Sequence, residues 1–528
     1  MSRIYRLWCM PLAAALLMLA DPTGAQAREC RYDVVVSDAS ASELSVSLEC
    51  DGGLPARLGM KSGAAGWVGT LTLADGSTLE TDLDGWSIPA NQRAQAARYT
   101  LPLGAMAAAS GRYNAAMKIG NSVLVQLDSW LAVPEPAGDD TLAISIALPG
   151  GGDVATSLPL DADGYRLAAS QLDRAGFFVF GTFKRTDVTL PAPGSLDAGT
   201  TDTTVAHLIV LDGRMTATLA DFARWVEFTG LAAAEFWRGF PMEEPFLVVV
   251  PESGRGVEQG RVIPGLSVMT LLHVGRDTPV ATLYSEPVMV HEMVHLGSPS
   301  IEGPGDWLNE GVAMYFETII RARAGWLTPE DVWREWVANM PKGLVALGET
   351  GLEEADETGI YWGGALFMLL ADIELRKSSG LRLGLEDCAR AARDAGGTMD
   401  QDWTAQQFLD VCDATFGNTI VSDLAARYTK PGKAPTLSAL WNQLGVVAAK
   451  DGSVRFDDTA ALATVRDAIL SGGPDAQWKP IARPEAPPAE PTTSAGTGIA
   501  IGTTREAASD ASEPCRMGTG RDAQFECP

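Results

Sequence analysis

The sequence predicts an α+β protein: an N-terminal antiparallel β domain, an α+β domain that turns helical, and a disordered C-terminal tail. Three observations predict it. Short alternating or β-branched runs bounded by Gly, Asp, Ser or Pro fill the chain up to about residue 185. Beyond residue 202, buried-strand runs give way to segments with apolar residues spaced three and four apart. From Pro474 onward, Pro, Ala, Ser, Thr and Gly prevail, and too little apolar surface remains to fold a domain. The 528 residues also exceed one compact core.

At the N-terminus, Arg3 and Arg6 precede the apolar run Leu12–Ala20, and Ala25-Gln-Ala27 has the small residues of a signal cleavage site. Residues 1–27 therefore read as a signal peptide, and the protein as exported, to a periplasm or the extracellular space. No later segment has the roughly 18 apolar residues of a membrane span, so no span is expected in the mature form. Removal of the signal leaves six of seven cysteines, an even number suited to an oxidising compartment. Near-neighbour pairing is the simplest of the possible connectivities: Cys30 with Cys50, Cys388 with Cys412, Cys515 with Cys527. No CxxC spacing supports a zinc finger. A net charge of −27 argues against a nucleic-acid surface, which needs a basic stripe.

In the N-terminal β domain, residues 28–185, Tyr32–Val36, Leu44–Leu48, Trp67–Leu73, Val123–Leu127, Leu142–Leu148 and Gly176–Gly181 are the predicted strands. Their spacing predicts a sandwich or a large open sheet, bracing its neighbour. Thr186–Thr201, rich in Pro, Gly and small polar residues, reads as a linker. Residues 202–472 follow as the second domain. His207–Asp212, Phe246–Val250 and Ser267–Val274 read as strands. Helices are predicted at Leu219–Phe240, Thr282–Leu296, Asp306–Ala324 and Thr358–Lys377. Thr328-Pro-Glu-Asp331 has the cap, proline and first-turn acid of a helix start. Residues 473–528 read as a low-complexity tail.

The chemistry concentrates in Val290-His-Glu-Met-Val-His295. His291 and His295 are four apart and share one helix face, so two imidazoles can hold a single zinc ion. Glu292 between them can act as general base on a metal-bound water. The chain has only four histidines, so this register is not a by-product of abundance. The flanking Val288, Val290, Met293, Val294 and Leu296 bury the motif, and buried polar groups need partners. Position 301 is Ile, which removes the third histidine of a metzincin. Of the acids downstream, Glu302 sits in a Gly/Pro-rich loop, whereas Glu310 begins a strongly patterned helix that can orient it as third ligand.

The pair Val290–His295 and Trp307-Leu-Asn-Glu-Gly-Val-Ala-Met-Tyr-Phe-Glu317 resembles the gluzincin peptidases, above all the glycyl aminopeptidases and, more distantly, the aminopeptidase N family. Fourteen residues separate His295 from Glu310, a shorter spacer than in aminopeptidase N relatives. The resemblance implies a thermolysin-like catalytic domain with one zinc ion held by His291, His295 and Glu310. Glu292 would be the base. Thr358-Gly-Ile-Tyr-Trp-Gly-Gly-Ala-Leu-Phe367 resembles the stretch that carries the family's oxyanion tyrosine, making Tyr361 the candidate. Gly256-Val-Glu-Gln-Gly260 resembles a glycyl aminopeptidase segment whose glutamate meets the substrate amine, making Glu258 a substrate-binding candidate; the GxMEN stretch of aminopeptidase N relatives is missing.

The expected function is exported, zinc-dependent hydrolysis of peptide bonds in peptide or protein substrates, by a Glu-activated zinc-bound water, as an aminopeptidase. The alternatives are an endopeptidase of the same fold and a non-catalytic scaffold that binds envelope proteins or peptides.

Overall fold

The computed structural model describes residues 27–485 except 62, 83, 90–93, 111–115, 267 and 475, plus the backbone of 516–517 and 525–526. The signal segment, the third cysteine pair and most of the tail therefore lie outside the described residues.

Period-2 burial organises the N-terminal part. Glu29–Val36 alternates, with Tyr32, Val34 and Val36 buried. It lies inside an eight-stranded sheet, between Thr141–Ala147 and Leu44–Cys50. Its pairing with Thr141–Ala147 is parallel, and every other pair in that sheet is antiparallel. Cys30 stands directly opposite Cys50 on adjacent strands, and the two are bonded.

A four-stranded sheet, ordered Asp153–Thr156, Phe177–Gly181, Ser122–Gln126, Ala116–Ile119, joins this part to the second domain. Phe178 and Phe180 enter the N-terminal core, while Phe177 and Val179 pack with Ile209, Val248 and Leu271 of the second domain. Both faces are covered, which is why Phe177–Phe180 is apolar at every position.

The second domain is built on five strands: β1 (Phe183–Pro191), β2 (Thr203–Leu211), β3 (Phe246–Glu252), β4 (Val257–Ile263) and β5 (Met269–Gly275). Their order is β1-β2-β3-β5-β4. β2, β3 and β5 run parallel, and β1 and β4 are antiparallel edges. The expected linker is thus corrected: residues 183–191 form a full edge strand, paired along its length with β2. Its turn-like composition reflects an edge strand with Lys184, Arg185, Asp187 and Thr189 turned to solvent and Val188 and Leu190 turned inward.

Helix α1 (Leu219–Trp237) starts at a capping box in which Thr218 and Asp221 satisfy each other's backbone N–H. The predicted helix 282–296 is two helices, α2 (Val280–Ser285) and α3 (Val288–Leu296). Pro287 forces Glu286 into an extended conformation, ψ 135°, and breaks the run. Helix α4 (Asp306–Arg323) packs against α3, and α5 (Pro329–Asn339) opens on the expected Thr328–Asp331 capping box. The predicted helix at Thr358 begins instead as a π-helical turn over Gly359–Gly363, continuing as α6 (Gly364–Ser379). Further helices follow to Ser471, with Cys388–Cys412 bonded between two of them.

The chain does not leave the body at residue 473. Trp478 lies 4.1 Å over the Arg323 guanidinium, and the Trp326 indole N–H donates to the Ile481 carbonyl at 2.7 Å. Among the described residues, no helix is long and apolar enough to cross a membrane.

Candidate metal centre

Every residue of α3 is buried, so the helix is held on all sides: by α1, by α4 and by edge strand β4. His291 and His295 face α4 from consecutive turns. Glu310 comes from the first turn and a half of α4. The His291 Nε2 lies 3.2 Å from the His295 Nε2 and 3.2 Å from the Glu310 Oε2, and His295 Nε2 lies 3.4 Å from that oxygen. These three residues form the one candidate metal-binding group among the described residues.

The donor set fits zinc. With ligand bonds near 2.0–2.1 Å, the edges of a zinc tetrahedron are about 3.3 Å, close to all three separations. Without a shared cation the packing is awkward, because two buried ring nitrogens and one carboxylate oxygen converge on a single point. Burial opposes a charge on His295, yet the neighbouring Glu310 carboxylate raises it to about 9. Burial instead lowers His291. Burial resists ionisation of Glu310, but the two imidazoles hold it well below the usual carboxylate range. The cluster thus already gathers one positive charge around an anion, the place a divalent ion would take.

Glu292 stands apart from the three ligand candidates. Its carboxylate lies over Gly260 of β4, where a Cβ would come within 2.7 Å of the Glu292 Cγ and Cδ. The Val262 N–H donates to it. Burial pushes its carboxyl up to about 8. The glycine inside β4 is therefore required by the close approach of α3.

Tyr361 is brought in by a second backbone contact. Gly311, next to Glu310, meets Gly364 so closely that a Cβ on it would lie 2.6 Å from the Gly364 Cα. That crossing sets the π-helical turn beside α4, with the Tyr361 ring 6.1 Å from the His291 ring and its hydroxyl bonded to Glu310. Burial, with Glu310 and Glu292 nearby, keeps the phenol firmly protonated.

Glu258 is the extra residue of a β-bulge in β4, where the register shifts between Val257 and Gln259. Its carboxylate lies against Gly254 in the β3–β4 turn. It shares a strand with the Gly260 and Val262 that cradle Glu292, but is not part of the ligand triangle.

Three contributors were not among the residues singled out from the sequence. Asn309 Oδ1 lies 3.3 Å from His295 Nδ1 and orients that ring. Gly260 and Val262 hold Glu292. The signals existed: Asn309 adjoins Glu310, and an isolated glycine within a strand marks close backbone approach.

No protein-family model and no curated protein sequence matches the chain. The architecture, a β domain followed by an α+β domain with a helical end, is the one seen in a solved aminopeptidase N family structure. An aminopeptidase N family protein from Idiomarina loihiensis superposes with a TM-score of 0.59 at 14% identity, covering 80% of this chain and 79% of that one. An M1 zinc metallopeptidase from Deinococcus radiodurans gives 0.46 at 14% identity, covering 78% and 94%. Legionella pneumophila aminopeptidase A gives 0.43 at 13%, covering 76% and 49%.

Proposed function

We propose that this chain is an exported, zinc-dependent peptidase acting as an aminopeptidase. The observation that carries the reading is the triangle of His291, His295 and Glu310 donors at 3.2–3.4 Å, with the separate buried carboxylate of Glu292 beside it. One zinc ion, when bound, supplies Lewis acidity and lowers the pKa of a water to about 7.

The protein groups then divide the remaining work. Glu292, fixed by the Val262 N–H, takes a proton from the attacking water and delivers it to the leaving amine. Tyr361, a protonated phenol beside His291, is assigned as hydrogen-bond donor to the developing oxyanion. Asn309 keeps His295 in the tautomer that leaves its Nε2 free to ligate. Glu258 is assigned to the substrate's free amine. Endopeptidase activity is the second reading, favoured by the missing GxMEN stretch. The intact Glu292 speaks against a scaffold without turnover. The N-terminal 27 residues and the two disulfides support an exported location.

The test is hydrolysis of free-amine and N-blocked peptides by the purified chain, with and without chelator. Chelator-sensitive cleavage of free-amine peptides alone supports the proposal. Cleavage of blocked peptides moves it to the endopeptidase reading, and chelator-resistant cleavage or none at all refutes it. Glu292→Gln should keep zinc and lose turnover.

A further inference from the structure

A cavity of about 1020 Å³ is lined by none of the metal-centre residues. It opens where the four-stranded sheet of the N-terminal part meets the β1–β2 side of the second domain, whereas α3 packs on the opposite edge, β4. We propose that this groove docks an extended polypeptide segment carrying Lys or Arg beside apolar residues.

Shape argues for an extended segment. One wall is the strand Asp153–Thr156, which among the described residues pairs only with Phe177–Gly181 and lies at the edge of its sheet. A strand edge of this kind offers backbone groups for an added strand. The wall continues into Leu160, which is 68% exposed, and Leu266, 38% exposed, closes the far side.

Charge selects the occupant. Arg185 in the lining is offset by Asp153 at 3.4 Å, and His207 sits against Asp187 at 2.9 Å. Glu243 and Glu244 remain in the lining with no ion pair among the described residues, whereas the Asp400 carboxylate accepts from Thr398 Oγ1 and Gln401 Nε2 and its carbonyl from the Arg174 guanidinium. Glu244 is held in a left-handed conformation, φ 46°, with its N–H donating to Thr204 Oγ1 at 3.0 Å, so the rim carboxylates stand on an ordered turn. An acidic rim around an apolar floor complements a cationic, apolar strand.

The experiment uses the full chain carrying Glu292→Gln, so that the probe is not consumed if the peptidase reading holds. The probe is a fluorescein-labelled, N-acetylated nine-residue peptide alternating Lys with Leu or Val, and its control has Glu for Lys. Saturable binding of the cationic probe is expected, weakening with added salt because the rim is solvent-exposed. Glu243→Lys/Glu244→Lys should weaken it about tenfold or more, and Leu160→Asp should do likewise, both with unchanged melting temperature. Equal binding of the two probes, no saturation, or indifference to both variants overturns the proposal. So does a dimer in sedimentation that Leu160→Asp dissolves, since it assigns the groove to a second copy. Binding is read without turnover, so failure here leaves the peptidase reading intact, and failure of that reading leaves this one.

Discussion

Gly260→Ala tests how the base is held. The new methyl would stand 2.7 Å from both Cγ and Cδ of Glu292, whereas carbon atoms rest at about 3.5–4.0 Å. The carboxylate must therefore retreat by about 1 Å, and it cannot do so while keeping the Val262 N–H. A displacement of that size at a reacting group costs about 100-fold in rate, about 2.7 kcal/mol of barrier. Stability should fall less, because overpacking costs about 1–3 kcal/mol and Gly-to-Ala returns about 0.4–1 kcal/mol through the unfolded chain. Glu292 is not one of the three ligand candidates, so the triangle should still bind zinc. The assay is kcat on an aminoacyl fluorogenic substrate, with zinc per chain from metal analysis. About a 100-fold fall in kcat with full zinc occupancy is expected. A kcat within about threefold of the parent, or a loss that tracks lost zinc, would show that Gly260 does not position the base.

Asn309→Ala frees the His295 ring and should weaken zinc affinity about 10–100-fold, measured by competition with a chromogenic chelator. Zinc affinity should also rise with pH. In the metal-free protein His295 keeps its proton up to about 9, and a ligand must be neutral, so binding below that pH releases a proton. Calorimetry in buffers of different ionisation enthalpy should detect that release at pH 7 and lose it above about pH 9. Trp478→Ala removes a ring that contacts the Arg238, Arg323 and Arg390 guanidinium groups at 5.2, 4.1 and 5.7 Å. It should cost about 1–2 kcal/mol, seen as a lower urea midpoint, with zinc content unchanged.

Composition and periodicity alone carried the α+β class, the order of the two domains and most helices, because burial imprints its period on apolar residues. They also carried His291, Glu292, His295 and Glu310 as candidates, since ligands on one helix turn or at a helix start have a spacing that geometry dictates. They failed where a boundary depended on packing. Edge strand β1 reads as a linker because its outer residues meet water, and Pro287 splits a run that apolar spacing joined.

Tertiary structure alone decided which backbones touch. Gly260 under Glu292 and Gly311 against Gly364 are contacts between elements distant in sequence, and each depends on an absent side chain, which leaves no periodic trace. The same holds for the groove at the domain junction, whose lining comes from at least six separate chain segments. Local sequence encodes which groups a helix presents; only the packed sheet determines how closely another strand approaches them.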